Sequence, residues 1–249
     1  MASDPVILEA SPRIKLALTD TCIAGDLIGF DGTNWKKSDV DATAPIRAEY
    51  IALETCYTSG NTIEVAKRAV VYDADAPYTK GALQFASGTA GKHTETNPIA
   101  TGDVAQVVGR AVTTDTVVLD TEIPHLTVAA NLAGDTPATA GNYGYVFTAD
   151  RCWRLIGAIE VHRTAGTNGG AVTLDIEKCA SGTAQDSGVT MVATTFSLKS
   201  TAATPVAVGP TTTAADARLK PGDSVALKDT GTLTSVADVA VTLQFVEDL

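Results

Sequence analysis

The chain has 249 residues, and Ala, Thr, Val and Gly supply 39, 36, 24 and 21 of them, against 5% aromatic and 19% charged residues. Stiff β-branched side chains and frequent turn formers point to an all-β protein of many short strands, and 45% apolar content in a chain this long argues against disorder. The formal charge of −11 is spread over both halves, with adjacent basic pairs only at Lys36-Lys37 and Lys67-Arg68, which excludes a phosphate-neutralising surface for nucleic acid or anionic membrane.

An opening arm over residues 5–9 is apolar and extended, because Pro5 and Pro12 disfavour helix. It reads either as a first strand or as a tail that orders on a partner. Residues 26–30 and 34–36 flank Asp31-Gly32 as a predicted hairpin. Strands are predicted over 48–54 and 62–72. Helix propensity also fits the second, but Ile63 and Val65 alternate and Val70-Val71 follows, which favours a strand. A second hairpin is predicted from 82–85 and 92–96, and two closely connected strands from 104–112 and 116–119. Residues 1–120 thus hold about eight strands, as a small barrel-like domain with an N-terminal arm over 1–12.

A domain boundary is expected near 120–124, and the small, polar stretch 131–141 reads as a connector or long loop. Beyond it, residues 172–177 alternate apolar and polar, as do Val239, Val241, Leu243 and Phe245 with their neighbours. Leu155, Gly157, Ile159 and Val161 continue the pattern, which puts Glu160 and His162 on the opposite, wet face. Tyr143, Tyr145 and Phe147 are expected on one face of a strand, for core or inter-subunit packing. Lys220-Pro221-Gly222-Asp223 is a turn sequence. The regular punctuation of residues 121–249 predicts an antiparallel β-sandwich.

The opening residues lack the basic and apolar regions of a secretory signal, and no window nears 18 apolar residues, so synthesis in a cytoplasm without membrane insertion is expected. Cys22, Cys56, Cys152 and Cys179 form no Cys-x-x-Cys pair, which argues against structural zinc. Four reduced, mostly buried thiols are the expectation, with a Cys152 to Cys179 bridge left open.

Catalytic motifs are missing: there is no His-Glu-x-x-His, Gly-x-Ser-x-Gly, Walker loop or Gly-x-Gly-x-x-Gly. Cys152 or Cys179 with His162 is the most suggestive nucleophile and base, yet on an alternating strand His162 reads first as a surface residue. The carboxylate pairs Asp39/Asp41 and Asp73/Asp75 read as solvated loops, and Asp31 reads as a turn residue before a metal ligand. Trp35, Trp153 and the six Tyr are too dispersed along the chain for a stacking platform. No enzyme, cofactor or metal site is expected.

Residues 13–119 resemble the head decoration, or cement, proteins of tailed bacteriophages with a β-tulip domain. The resemblance is carried in order by residues 24–29, the strand over 48–54, residues 80–85, and Val107-Val108-Gly109-Arg110-Ala111-Val112 with Gln106 before it. Residues 123–246 look like a second, jelly-roll-like β module of phage virion proteins, carried by residues 140–150, 160–167 and 222–233. The resemblance implies a homotrimer on the outer surface of the capsid, with the major capsid protein as partner and no catalytic residue to carry over. Pro5, Val6, Ile7, Leu8 and Arg13 are the capsid-contact candidates, acting by strand addition to the shell protein. The alternative is a receptor- or carbohydrate-binding virion protein that uses the C-terminal sandwich; a wall-degrading hydrolase would need carboxylates converging in a cleft.

Overall fold

The computed structural model describes residues 4–41, 44–98, 104–135 and 144–248, with residues 133–135 described by their backbone alone. Among these residues the fold is all-β, and the chain divides into two compact units, residues 1–123 and 124–249.

The first unit is built from β1 (Val6–Ala17), β2 (Leu27–Phe30), β3 (Trp35–Lys37), β4 (Tyr50–Ala52), β5 (Thr62–Tyr72), β6 (Leu83–Ala86), β7 (His93–Thr94), β8 (Val107–Ala111) and β9 (Thr116–Asp120). The strands pair antiparallel in the order β3-β2-β4-β5-β9-β8-β6-β7, and β1 joins β5. Residues 62–72 form a strand, as alternation favoured over helix propensity. The sheet branches at β5, which takes β1 along one edge and β4 then β9 along the other. Neighbouring strand residues face opposite sides. Leu27 and Ile51 therefore join one apolar cluster with Val71, Val108 and Leu119, while Ile28 and Ala52 join another with Leu18, Ile63 and Val65.

Two buried polar side chains of this unit, Asp26 and Gln106, are matched. Lys92 Nζ donates to the buried Asp26 carboxylate at 2.6 Å. The buried Gln106 amide accepts from Ala48 N at 2.9 Å and donates to Ala48 O at 2.7 Å, taking the place of a neighbouring strand's backbone. Gly29 is required by close approach, because a Cβ there would lie 2.0 Å from Arg47 O.

The second unit holds β10 (His125–Asp135), β11 (Gly144–Thr148), β12 (Trp153–Thr164), β13 (Thr173–Cys179), β14 (Val189–Thr190), β15 (Phe196–Ser197), β16 (Val206–Val208), β17 (Arg218–Leu219), β18 (Ser224–Thr230) and β19 (Ala237–Glu247). One sheet runs β10-β19-β12-β16 with β17 on β12, and the other runs β11-β18-β13-β14 with β15 on β13. Their inner faces share a core, in which Leu155, Val239, Val241, Leu243 and Phe245 of the first sheet meet Leu174, Ile176, Val225 and Leu227 of the second. This is a β-sandwich, and the alternation read over 172–177 and 239–245 supplies its two central strands.

Three expectations need correction. Residues 131–135 continue β10 rather than opening a connector, and residues 136–141 lie outside the described residues. Glu160 and His162 are buried, not solvated, because β12 carries a bulge between Leu155 and Gly157 opposite β19. The extra residue reverses the alternation beyond it, so Ala158, Glu160 and His162 oppose Leu243, Val241 and Val239 of the core. A second bulge separates Tyr145 from Phe147, which turns Tyr145 outward while Phe147 packs on Phe245 at a ring distance of 5.6 Å; Tyr143 lies outside the described residues. The cysteines are free thiols and mostly buried, as expected: of the bridge left open, Cys152 is exposed ahead of β12, whereas Cys179 is buried at the end of β13 in the other sheet.

Candidate functional site

The capsid-contact candidates fall on β1 and the residue before it. β1 has twelve residues and, among the described residues, pairs with β5 alone, so it is an edge strand. Its side chains divide by partner. Ile7 and Ala10 pack against one core cluster and Leu16 against the other, which anchors the strand. Val6, Leu8 and Ile14 remain 54%, 59% and 39% exposed. The pairing slips between Ile7 and Glu9, so Leu8 sits at a bulge without a partner on β5. Arg13 Nη1 lies 3.3 Å from Glu64 Oε2 at the surface, a pair worth little in water. Upstream, Asp4 Oδ2 accepts from Thr55 Oγ1 at 3.0 Å and Tyr57 Oη at 3.1 Å, which holds the start of the strand. Pro5 lines a cavity of about 260 Å³ with Gly25, Asp26, Val71, Tyr78 and His93.

β1 therefore offers one row of backbone groups and three apolar side chains to a neighbour. Long free edges usually carry guards against pairing. Here they are the bulge at Leu8, the missing N–H of Pro12, and the charges of Glu9, Arg13 and Lys15. Such features limit indiscriminate pairing along this edge.

The other residues singled out in the sequence do not converge. His162 Nδ1 lies 2.9 Å from Glu160 Oε1, and its Nε2 lies 3.2 Å from Ser200 O, all inside the sandwich and away from Cys152 at the surface. The Cys179 thiol donates to Ala184 O at 3.8 Å. Asp73 Oδ1 accepts from Asp75 N, and Asp39 exchanges backbone bonds with Ile46. Asp31 is a turn residue: its carboxylate accepts from Thr33 N and Asn34 N and meets Lys36 Nζ at 2.7 Å. The bond from Lys36, then those from the turn amides, pull the Asp31 carboxyl down to about 2. No group of three or more His, Cys, Asp or Glu that could hold a metal occurs among the described residues.

The structure also gathers residues that looked scattered. Phe30, Trp35 and Tyr50 form a run of rings, with centroids 5.1 and 5.4 Å apart, and Lys67 Nζ lies 4.5 Å from the Tyr50 centroid. The pairing of β2 with both β3 and β4 places them side by side, a relation that sequence spacing does not display. Tyr145 acts as a pin: its hydroxyl donates to Thr183 O and accepts from Gln185 N, tying down the β13–β14 connection.

No family model matches the chain, and no curated protein matches it. Among solved structures, the capsid of Ralstonia phage GP4 aligns with 14% identity and a TM-score of 0.39, over 51% of this chain and 86% of that one.

Proposed function

We propose that this chain is a structural virion protein, a decoration or cement protein that binds the outside of a tailed-phage head and stabilises the shell. In this reading residues 1–120 are the capsid-binding domain and residues 121–249 the outer domain. The partner is the major capsid protein, and the bound form is a homotrimer. The observation that carries the reading is the free edge of β1, with Val6, Leu8 and Ile14 exposed on a strand otherwise anchored in the core. Strand addition to such an edge supplies main-chain hydrogen bonds, and the flanking apolar side chains supply register.

The mechanism is adhesion without chemistry. Once one protomer of a trimer has docked, the remaining contacts form at a high effective concentration, so modest single contacts sum to durable attachment. An acidic, charge-sparse protein of pI about 4.6 suits this role because it stays soluble while crowding a surface.

The double substitution Val6→Lys/Leu8→Lys tests the contact without removing the strand. Both side chains are exposed, so the thermal transition should stay within about 0.5 kcal/mol of the parent. Occupancy on expanded empty heads of the cognate phage, measured by sedimentation with the particles, should fall about tenfold or more. Undiminished occupancy by the folded variant would remove β1 from the contact.

A further inference from the structure

The four cysteines include one close pair, and it is not the Cys152–Cys179 pair that the sequence left open. Cys22 lies on the connection from β1 to β2 and Cys56 on the connection from β4 to β5, and the two form an isolated antiparallel bridge. Cys22 N donates to Cys56 O at 2.9 Å, and Cys56 N donates to Cys22 O at 2.8 Å. Residues that exchange both backbone bonds in this way have Cα atoms about 5.5 Å apart and side chains on the same face. That separation falls within the range of about 4.4–6.8 Å that a disulfide spans. Both side chains are buried, in one cluster with Leu18, Ile28, Ile63 and Val65. Both thiols are reduced and engaged elsewhere: Cys22 Sγ donates to Glu54 O at 3.7 Å and Cys56 Sγ to Thr58 O at 3.1 Å.

We propose that Cys22 and Cys56 are an oxidation site, a dithiol that closes to an intrachain disulfide on exposure to a small-molecule disulfide and clamps the two connections over this core. One cysteine, as its thiolate, attacks a sulfur of the oxidant, breaking that S–S bond and releasing one thiol. The second cysteine then displaces the other half of the oxidant from the mixed disulfide. Two protein thiols and one oxidant disulfide become one protein disulfide and two small thiols, with the two protein protons carried off on the leaving sulfurs. Each cysteine needs only to turn away from its carbonyl acceptor, since the backbone pairing already sets the spacing.

Burial makes the reaction slow rather than forbidden. Desolvation is the main cause that pushes the Cys22 thiol up to about 11, against the hydrogen bond with the Cys56 backbone that draws it down, so little thiolate is present near neutrality. Reaction therefore proceeds through local opening of the two connections. A chain made in a reducing cytoplasm would keep the dithiol, and one released into oxidising surroundings would close it. The chemistry belongs to this chain alone and does not depend on the capsid reading.

The full chain, with Cys152→Ser to remove the exposed thiol, is incubated with oxidised glutathione at pH 8. Remaining thiols are then alkylated and the chain is digested for mass spectrometry. The expected product joins the Cys22 and Cys56 peptides and retains no glutathione. Closing a loop of this length should lower the unfolding equilibrium constant on the order of a hundredfold in urea. Dithiothreitol should reverse the effect, and Cys22→Ser should lack it. Separately alkylated or singly glutathionylated Cys22 and Cys56, or a linked chain that unfolds as readily as the reduced one, would overturn the proposal.

Discussion

At the scale of single residues, the Glu160–His162 pair is the sharpest departure from what the chain displays. His162 Nδ1 lies 2.9 Å from Glu160 Oε1 and its Nε2 3.2 Å from Ser200 O, so one ring links a carboxyl to a backbone carbonyl on the inner face. Glu160 Oε2 and Ser200 Oγ are buried there without a hydrogen-bond partner among the described residues. Burial pushes the Glu160 carboxyl above its ordinary range, against the bond from His162 that draws it down. The folded chain then holds a proton that the unfolded chain gives up above about pH 4.3, so this group's contribution to stability falls as pH rises from there through its raised value. Glu160→Gln does not titrate. Its stability relative to the parent should therefore improve as pH rises above about 4.3 in urea titrations, and a pH-independent difference would contradict the assignment. Local chemistry such as the Asp31 turn was readable directly, because all its partners lie within five residues. The Glu160–His162 pair was not, because its burial depends on a bulge set by pairing with β19.

At the scale of elements, strands with regular alternation and a partner on each side, such as β13 and β19, were legible from their own residues. β10 was not: Ala133 and Gly134 looked like loop, and its pairing with β19 draws residues 131–135 into the ladder. Close approach between elements was equally hidden, and Gly29 shows why. Its place in β2 reads as a weak strand residue until Arg47 O is seen to occupy the position of a side chain. Gly29→Ala forces backbone to move where β2 meets the approach to β4, and should destabilise the first unit by about 1–3 kcal/mol in chemical denaturation. A neutral result would mean that residues 44–48 yield freely.

At the scale of the whole molecule, composition predicted architecture well and assembly only by implication. Small and β-branched side chains fill two β units, as the composition implied. The edge of β1 emerged only once its partner strand was known, since a strand and a tail share the same residues. The fastening of Ala48 by Gln106 has a consequence of a different kind, in time rather than space. It joins points 58 residues apart through one side chain instead of a ladder, so it can close only after the strands flanking both points have assembled. It acts as a late clasp that delays escape from the finished fold without hastening arrival. In stopped-flow measurements Gln106→Ala should speed unfolding about tenfold or more while leaving the refolding rate nearly unchanged.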